Sequence, residues 1–225
     1  LSFFFGTINN FFFYFLFLRF FIISHIINHH VPSFYMINES SFIADRIASA
    51  MQHLGNLPPS FTNSVNEIGQ FIAANLAQDR TIFTLGLDTL TPLTAVFCQT
   101  MLYRNSDQRP SLPVIALNNQ ASLHSPNHSQ HYIQPLQALA QAGDIVLIAC
   151  EHTENDSLID FIKAANDRDI ACIIMCMGPL SEQIAQFEQL IHLPIEADNL
   201  ARMHELSLFI FNGFSDIIED QLFAI

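Results

Sequence analysis

The sequence predicts a doubly wound α/β fold: a three-layer α/β/α sandwich with a five-stranded parallel sheet, preceded by an N-terminal helical pair. Five short apolar runs, separated by stretches of helical periodicity, support this prediction. Strands of a parallel sheet are covered on both faces, so they are continuously apolar rather than alternating. The length of 225 residues fits one such domain and leaves room for an appended segment.

The first 35 residues differ in composition from the rest of the chain. They hold 11 of the 22 phenylalanines, no acidic residue, and Arg19 as their one fixed charge. Met36 is the first methionine and precedes a helix-start pattern. We therefore predict that residues 1–35 are upstream sequence included by a wrong start assignment, and that residues 36–225 form a single domain. The alternative is a membrane anchor, since the apolar stretch is long enough to cross a bilayer.

Two amphipathic helices are predicted within residues 37–78, before any strand. The segment "NESSFIADRIASAMQHL" offers Asn38 or Ser40 as an N-cap and an apolar face every three to four residues. After a Pro-Pro break, a second helix directs Val65, Ile68 and Leu76 inward. The strands then follow at residues 81–85, 112–117, 144–150, 170–177 and 189–195. The helices between and after them are predicted at 92–103, about 131–141, 156–167, 180–189 and 200–222.

Charge argues against nucleic-acid binding, and the cysteine positions argue against a disulfide framework. All 21 acidic residues and seven of the eight basic ones follow Met36, which makes direct binding to nucleic acid improbable. The four cysteines, Cys98, Cys150, Cys172 and Cys176, fall in or beside apolar runs, so we predict reduced core residues in a cytoplasmic protein.

The turns after the first and third strands are the places where such sheets bind ligands. The first turn lies in "FTLGLDTLTPLT" and the second in "CEHTENDS". Each precedes a predicted helix, and Thr91-Pro92 offers an N-cap and first-turn pair. However, Asp88, Glu151 and Glu154 add negative charge where an anion would bind.

Four longer stretches resemble the sugar isomerase (SIS) domain family, a flavodoxin-like fold, in the branch of phosphoheptose isomerases and DnaA initiator-associating proteins. They are "RPSLPVIALNN", "LQALAQAGDIVLIA", "IKAANDRDI" and "ARMHELSLFIFNGFSDIIEDQLF". The resemblance implies a sugar-phosphate cradle of the form Gly-Asn-Gly-Gly/Thr-Ser in the first turn and Ser-Thr/Ser-x-Gly-Asn-Ser in the second. This chain departs from both patterns. The remnants of the ligand loops are Gly86, Thr89, Asn118, Asn155 and Ser157.

The same resemblance places the acid/base residues of phosphoheptose isomerases at five positions of this chain, and no catalytic residue is predicted from them. These positions are Val96, Thr100, His204, Ser207 and Asn212. Four of them cannot exchange a proton during isomerisation. We interpret His204 as a helix-surface or interface histidine. Asn212 is the residue type of the initiator-associating branch.

Metal binding is weighed at two places and predicted at neither. His124, His128 and His131 share one loop segment that could gather zinc ligands, but a solvated turn explains it better. The pair Cys172 and Cys176 would share one face of a buried strand.

The resemblance implies a non-catalytic, cofactor-free, homo-oligomeric adaptor, a dimer or tetramer, that binds a DnaA-type replication initiator. In that branch a Leu-Phe pair at the end of the last helix contributes to partner binding, and here it corresponds to Leu222 and Phe223. Packing of this pair against the N-terminal helices is the alternative. The alternative functions are a phosphosugar isomerase of the sedoheptulose 7-phosphate type and a sugar-phosphate sensor.

Overall fold

The computed structural model describes residues 39–103, 109–117 and 130–224, and the chain divides into two compact units, Leu1–Asn56 and Leu57–Ile225. The predictions for residues 1–35 and for Asn118, His124 and His128 lie outside the described residues. They stay predictions.

The first unit contains helix α1, Glu39–Gly55. Its large apolar side chains recur at helical spacing, as the sequence predicts. Phe42, Ile43, Ile47 and Met51 are 67%, 56%, 55% and 68% exposed. A helix with this many exposed apolar side chains has an apolar face available for a further contact.

The second unit is built on a five-stranded sheet in which all strands are parallel, in the order β2-β1-β3-β4-β5. The strands are β1 Ile82–Gly86, β2 Val114–Ala116, β3 Ile145–Ala149, β4 Ala171–Met177 and β5 Leu190–Ile195. The central strands β1 and β3 are buried at every residue. This burial is why their sequences are continuously apolar.

Six helices of the second unit lie within the described ranges. They are α2 Pro59–Leu76, α3 Thr91–Tyr103, α4 Gln130–Leu139, α5 Asp156–Asn166, α6 Glu182–Ala185 and α7 Leu200–Phe223. Side chains of α2, α3 and α7 form one core cluster with one face of the sheet, and side chains of α4, α5 and α6 form a second cluster with the other face. The three-layer α/β/α sandwich is therefore confirmed.

The inward residues of α2 are those that its periodicity predicts. Ile68, Ile72 and Leu76 are buried, and Val65 and Phe71 pack against the same cluster. Helix α2 packs against α7. Phe211 of α7 also stacks on Phe97 of α3, with 5.5 Å between the ring centroids. The four cysteines are buried and free, as predicted.

Predicted boundaries such as those of β2 and α4 are wrong by one or two residues, and two further differences have a physical reason. The helix predicted at 180–189 is only the four-residue α6, in which Ile184 is buried. The helix ends early because the chain must turn into β5, which begins at Leu190. Helix α3 begins at Thr91 itself, after a single 3₁₀ turn at Asp88–Leu90. Thr91 is thus not an N-cap, since its hydroxyl donates to the Gly86 carbonyl over 2.8 Å.

Candidate functional site

The crevice beyond the carboxyl ends of β1 and β3 is the candidate functional site. The strand order reverses here, because β2 lies on one side of β1 while β3, β4 and β5 lie on the other. The connections leaving β1 and β3 therefore run to opposite faces of the sheet and leave a gap between them. The loops after the two strands, residues 87–90 and 150–155, border this gap.

The turn after β1 is too tight for any residue except glycine at position 86. A Cβ on Gly86 would lie 2.6 Å from the Thr91 Cα and 2.7 Å from the Leu90 carbonyl oxygen. Both are backbone atoms, so neither can rotate away. Gly86 therefore serves the close approach of β1 to α3.

Residues 87–90, the turn after β1, occupy the position where a bound phosphate would need exposed backbone amides. Leu87 and Leu90 are buried, and Leu90 is a member of the core cluster beside α3. Asp88 is exposed and has a φ of 50°, in the left-handed region that glycine adopts more readily. The turn keeps a glycine-like backbone at Asp88, yet it presents a carboxylate instead of an open anion site.

Three distant segments meet at the hydroxyl of Thr89. Its oxygen lies 2.9 Å from Oε1 of Glu151 and 2.9 Å from Nε2 of His204. A threonine hydroxyl has one proton, and the carboxylate can only accept it. Nε2 of His204 must then donate to the Thr89 oxygen, which gives the chain of hydrogen bonds His204 to Thr89 to Glu151.

The interpretation of His204 as a helix-surface or interface histidine does not predict this network. Glu151 and His204 lie 62 and 115 residues from Thr89 along the chain, so no local pattern joins the three. One sequence signal could have indicated this network: Thr89 and Glu151 both lie in loops that follow the ends of adjacent strands, β1 and β3.

The loop after β3 is ordered by its own polar groups. The Asn155 side chain caps α5 by accepting from the Ser157 amide over 2.9 Å. The hydroxyl of Thr153 accepts from the Ser181 amide over 2.9 Å and so ties this loop to the segment after β4. The capping contact explains the residue type of the predicted remnant Asn155, whereas Ser157 takes part through its backbone amide only.

A second cavity lies beside this crevice, over the ends of β3, β4 and β5, with a volume of about 600 Å³. Its walls come from the three loops that follow these strands. Polar groups on the walls include His152, Glu154, Ser181, Asp198 and Asn199.

The five positions of family acid/base chemistry do not supply a proton-transfer set. Val96 and Asn212 are exposed on α3 and α7, and Thr100 uses its carbonyl to accept from the Arg109 guanidinium. Ser207 is buried, and its hydroxyl has no hydrogen-bond partner among the described residues. Of the five, His204 alone has a titratable side chain.

The end of α7 carries the predicted partner-binding pair. Leu222 and Phe223 are half-buried and pack against the core cluster of α2, α3 and α7. One turn earlier, Glu219 accepts from Nε of the buried Arg109 over 2.5 Å. The last turn of α7 is therefore held in place, and each side chain of the pair keeps an accessible edge.

Within residues 39–103, 109–117 and 130–224, no three histidine, cysteine or acidic side chains are grouped to hold a metal ion. No helix in the same ranges is both long and apolar enough for a bilayer crossing.

Comparison with known proteins gives relatives by sequence and by fold. No protein-family model matches the chain. The DnaA initiator-associating protein DiaA of Yersinia pestis is 30% identical over 135 residues, covering 56% of this chain and 68% of that protein. DiaA of Yersinia pseudotuberculosis matches with the same identity and coverage.

Two solved structures share the fold at lower identity. A phosphoheptose isomerase from Francisella tularensis superimposes with a TM-score of 0.70 at 19% identity, covering 82% of this chain and 98% of that one. A HobA-DnaA (domain I-II) complex from Helicobacter pylori gives a TM-score of 0.59 at 14% identity, with 86% and 98% covered.

Proposed function

The chain belongs to the SIS-domain family, in the branch of the DnaA initiator-associating proteins, and we propose that it is a non-catalytic adaptor that binds a DnaA-type replication initiator and promotes initiation of chromosome replication. The match to DiaA over two thirds of that protein's length carries this proposal. The adaptor works in the cytoplasm and needs no cofactor.

The altered crevice supports an adaptor over an enzyme. A sugar phosphate needs exposed backbone amides at the turn after β1, and here Leu87 and Leu90 turn into the core. The carboxylates of Asp88 and Glu151 border the same gap and would repel an anion. What survives from the ligand-binding fold is its framework, on which a partner surface can be built.

The initiator contact is proposed at the end of α7, with Leu222 and Phe223 as the apolar residues. Asp216 and Asp220 are exposed within two turns of this pair and make the surroundings acidic. An apolar contact surrounded by acidic residues suits a partner with basic residues around an apolar patch, because charge complementarity speeds encounter while the apolar pair holds the complex.

Self-association into a dimer or tetramer is part of the proposal. The exposed apolar residues of α1 offer a surface that a second copy of this chain would cover. A symmetric oligomer repeats the α7 contact once per subunit, so several weak contacts hold several initiator molecules together.

Isothermal titration calorimetry of the purified 225-residue chain with the DnaA initiator of the same organism tests this function. We expect binding at micromolar concentration or tighter. Sedimentation analysis of the same sample gives the oligomer size. A folded oligomer that gives no heat and no co-sedimentation with the initiator would refute the adaptor function.

A second candidate function, a phosphosugar isomerase or sugar-phosphate sensor, is favoured by one observation. The network at Thr89 brings the carboxylate of Glu151 and the imidazole of His204 to one hydroxyl, and this pairs an acid with a base. Titration with sedoheptulose 7-phosphate, for the native chain and for Asp88→Gly, tests it. Binding by the native chain, with turnover lost in Glu151→Gln, would favour the isomerase.

A further inference from the structure

Cys150 and Cys176 lie side by side where β3 and β4 end. The register pairs Ala149 with Met175, so the next residues on the two strands are these two cysteines. Both belong to the core cluster beside α4 and α5, which places their side chains on the same face of the sheet. Paired residues of neighbouring strands are about 4.8 Å apart, a separation within the Cα range of disulfides.

The two thiols are unequal because of their contacts. Cys150 is the neighbour of Cys176 across the strand register, and Nε2 of His192 on β5 lies 3.3 Å from the Cys176 sulfur. The hydrogen bond from Cys150, and then the His192 imidazole, lower the pKa of Cys176 against the opposing effect of burial. The same hydrogen bond, together with burial, raises the pKa of Cys150.

The other two cysteines lack such an arrangement. Burial raises the pKa of Cys172 to about 12, although this residue lies on the same strand as Cys176. Burial also raises the pKa of Cys98, whose thiol donates to the Val114 carbonyl. Since the thiolate is the reactive form of cysteine, these two are matched internal controls.

A small molecule has a short route to the pair. Met177 and Gly178 directly follow Cys176 and line the cavity of about 600 Å³ over the ends of β3, β4 and β5. His152, two residues after Cys150, lines it too. Both sulfurs are buried, so hydrogen peroxide reaches them only when the loops that line this cavity move.

We propose that Cys150 and Cys176 are a redox-active pair that peroxide converts to a reversible disulfide, with Cys176 as the attacking sulfur and Cys150 as the resolving one. The inference rests on strand register, the His192 contact and the cavity, and does not depend on the proposed adaptor function. The bond would fasten the start of the 150–155 loop to β4.

The chemistry balances with hydrogen peroxide as the oxidant. The Cys176 thiolate attacks one peroxide oxygen, the O–O bond breaks, and the departing hydroxide takes up a proton to leave as water. The Cys150 sulfur then attacks the sulfenic sulfur of Cys176, an S–S bond forms, the S–O bond breaks, and a second water leaves with the thiol proton. Two thiols are oxidised, and one peroxide is reduced to two waters.

Peptide mapping of the full chain after brief treatment with hydrogen peroxide tests the proposal. Remaining thiols are alkylated in denaturant, and trypsin cuts at Lys163 and Arg168, which separates Cys150 from Cys176. We expect a linked pair of peptides that dithiothreitol releases, with Cys98 and Cys172 fully alkylated. The Cys176→Ser variant should lose the link, and Cys172→Ser should keep it.

A rate comparison keeps the test decisive if a serine variant folds poorly. In the folded native chain at neutral pH, Cys176 should react with peroxide at least about ten-fold faster than Cys172, and His192→Gln should slow it. Four cysteines that all remain alkylatable, or that oxidise at equal rates, would overturn the proposal. So would a disulfide that joins any other pair in the folded chain.

Discussion

The guanidinium of Arg109 and the carboxylate of Glu219 form an ion pair inside the protein, with 2.5 Å between Nε and Oε1. The Arg109 side chain is fully buried, and its other nitrogens donate to the carbonyls of Thr100, Met101 and Pro110. One side chain therefore joins the end of α3, the segment before β2 and the last turns of α7. This pair stabilises the part of α7 that carries the proposed partner contact.

Replacing Arg109 with methionine should lower the free energy of unfolding by about 3 kcal/mol, because the Glu219 carboxylate and three carbonyls lose a donor inside the protein. Urea denaturation measures the change. Arg168→Met is the control, since Arg168 is exposed and its side chain donates to one carbonyl, that of Ala140, which is a loss of about 1 kcal/mol. Equal losses in the two variants would contradict the stabilising role of the buried pair.

Alanine at position 86 should destabilise the fold by about 1–3 kcal/mol, since its Cβ would meet backbone atoms that cannot rotate away. The matched change Gly213→Ala lies inside α7, where a new Cβ would meet nothing within 4 Å. Because glycine loses more conformational entropy on folding than alanine, Gly213→Ala should stabilise the fold by about 0.5–1 kcal/mol. Opposite signs in thermal unfolding are the expected result, and a neutral Gly86→Ala would show that the turn can open.

Truncating Phe223 to alanine should weaken initiator binding at least about ten-fold, as expected for an apolar residue at the centre of a contact. The control is Phe209→Ala on the same helix, where the ring is 59% exposed and lies more than three turns away. Calorimetric affinities of both variants, with oligomer size checked, give the answer. An equal loss of affinity in both variants would show that the initiator does not bind at the end of α7.

Valine at position 89 should loosen the turn after β1 without unfolding the protein. The change keeps the side-chain shape but removes the hydroxyl that joins Glu151 to His204. Loss of about 1 kcal/mol of local stabilisation should speed amide hydrogen exchange in residues 87–90 several-fold. Thr62→Val is the control, because that hydroxyl bonds only to the Pro59 carbonyl in its own helix turn. Unchanged exchange in residues 87–90 would show that the network does not hold the turn.

Strand and helix positions were largely predictable because their signal is local. The run at 144–150 predicts β3 from its apolar continuity alone, and the α2 residues Ile68 and Ile72 are buried as their spacing requires. The segment at 180–189 shows the limit of this reasoning. Its helical periodicity is outweighed by the need to enter β5, which depends on a partner strand distant in the chain.

The candidate site was predictable in position but not in detail. The switch point of the sheet follows from the alternation of strands and helices, and the resemblance to the SIS family implies which glycines of the first turn are replaced. The direction of Leu87 and Leu90 into the core, and the convergence of Thr89, Glu151 and His204, depend on contacts between segments far apart in the chain.

The parallel sheet, the helices that cover it and the acidic residues of the two loops beside the switch point follow from the sequence alone. Apolar periodicity and residue type act over a few neighbours, and this is why these features can be read locally. The folded structure was needed to establish which polar groups meet, which leucines are buried, and that Cys150 lies beside Cys176 with His192 close to Cys176. Strand register and helix packing set these contacts, and both are properties of the whole chain.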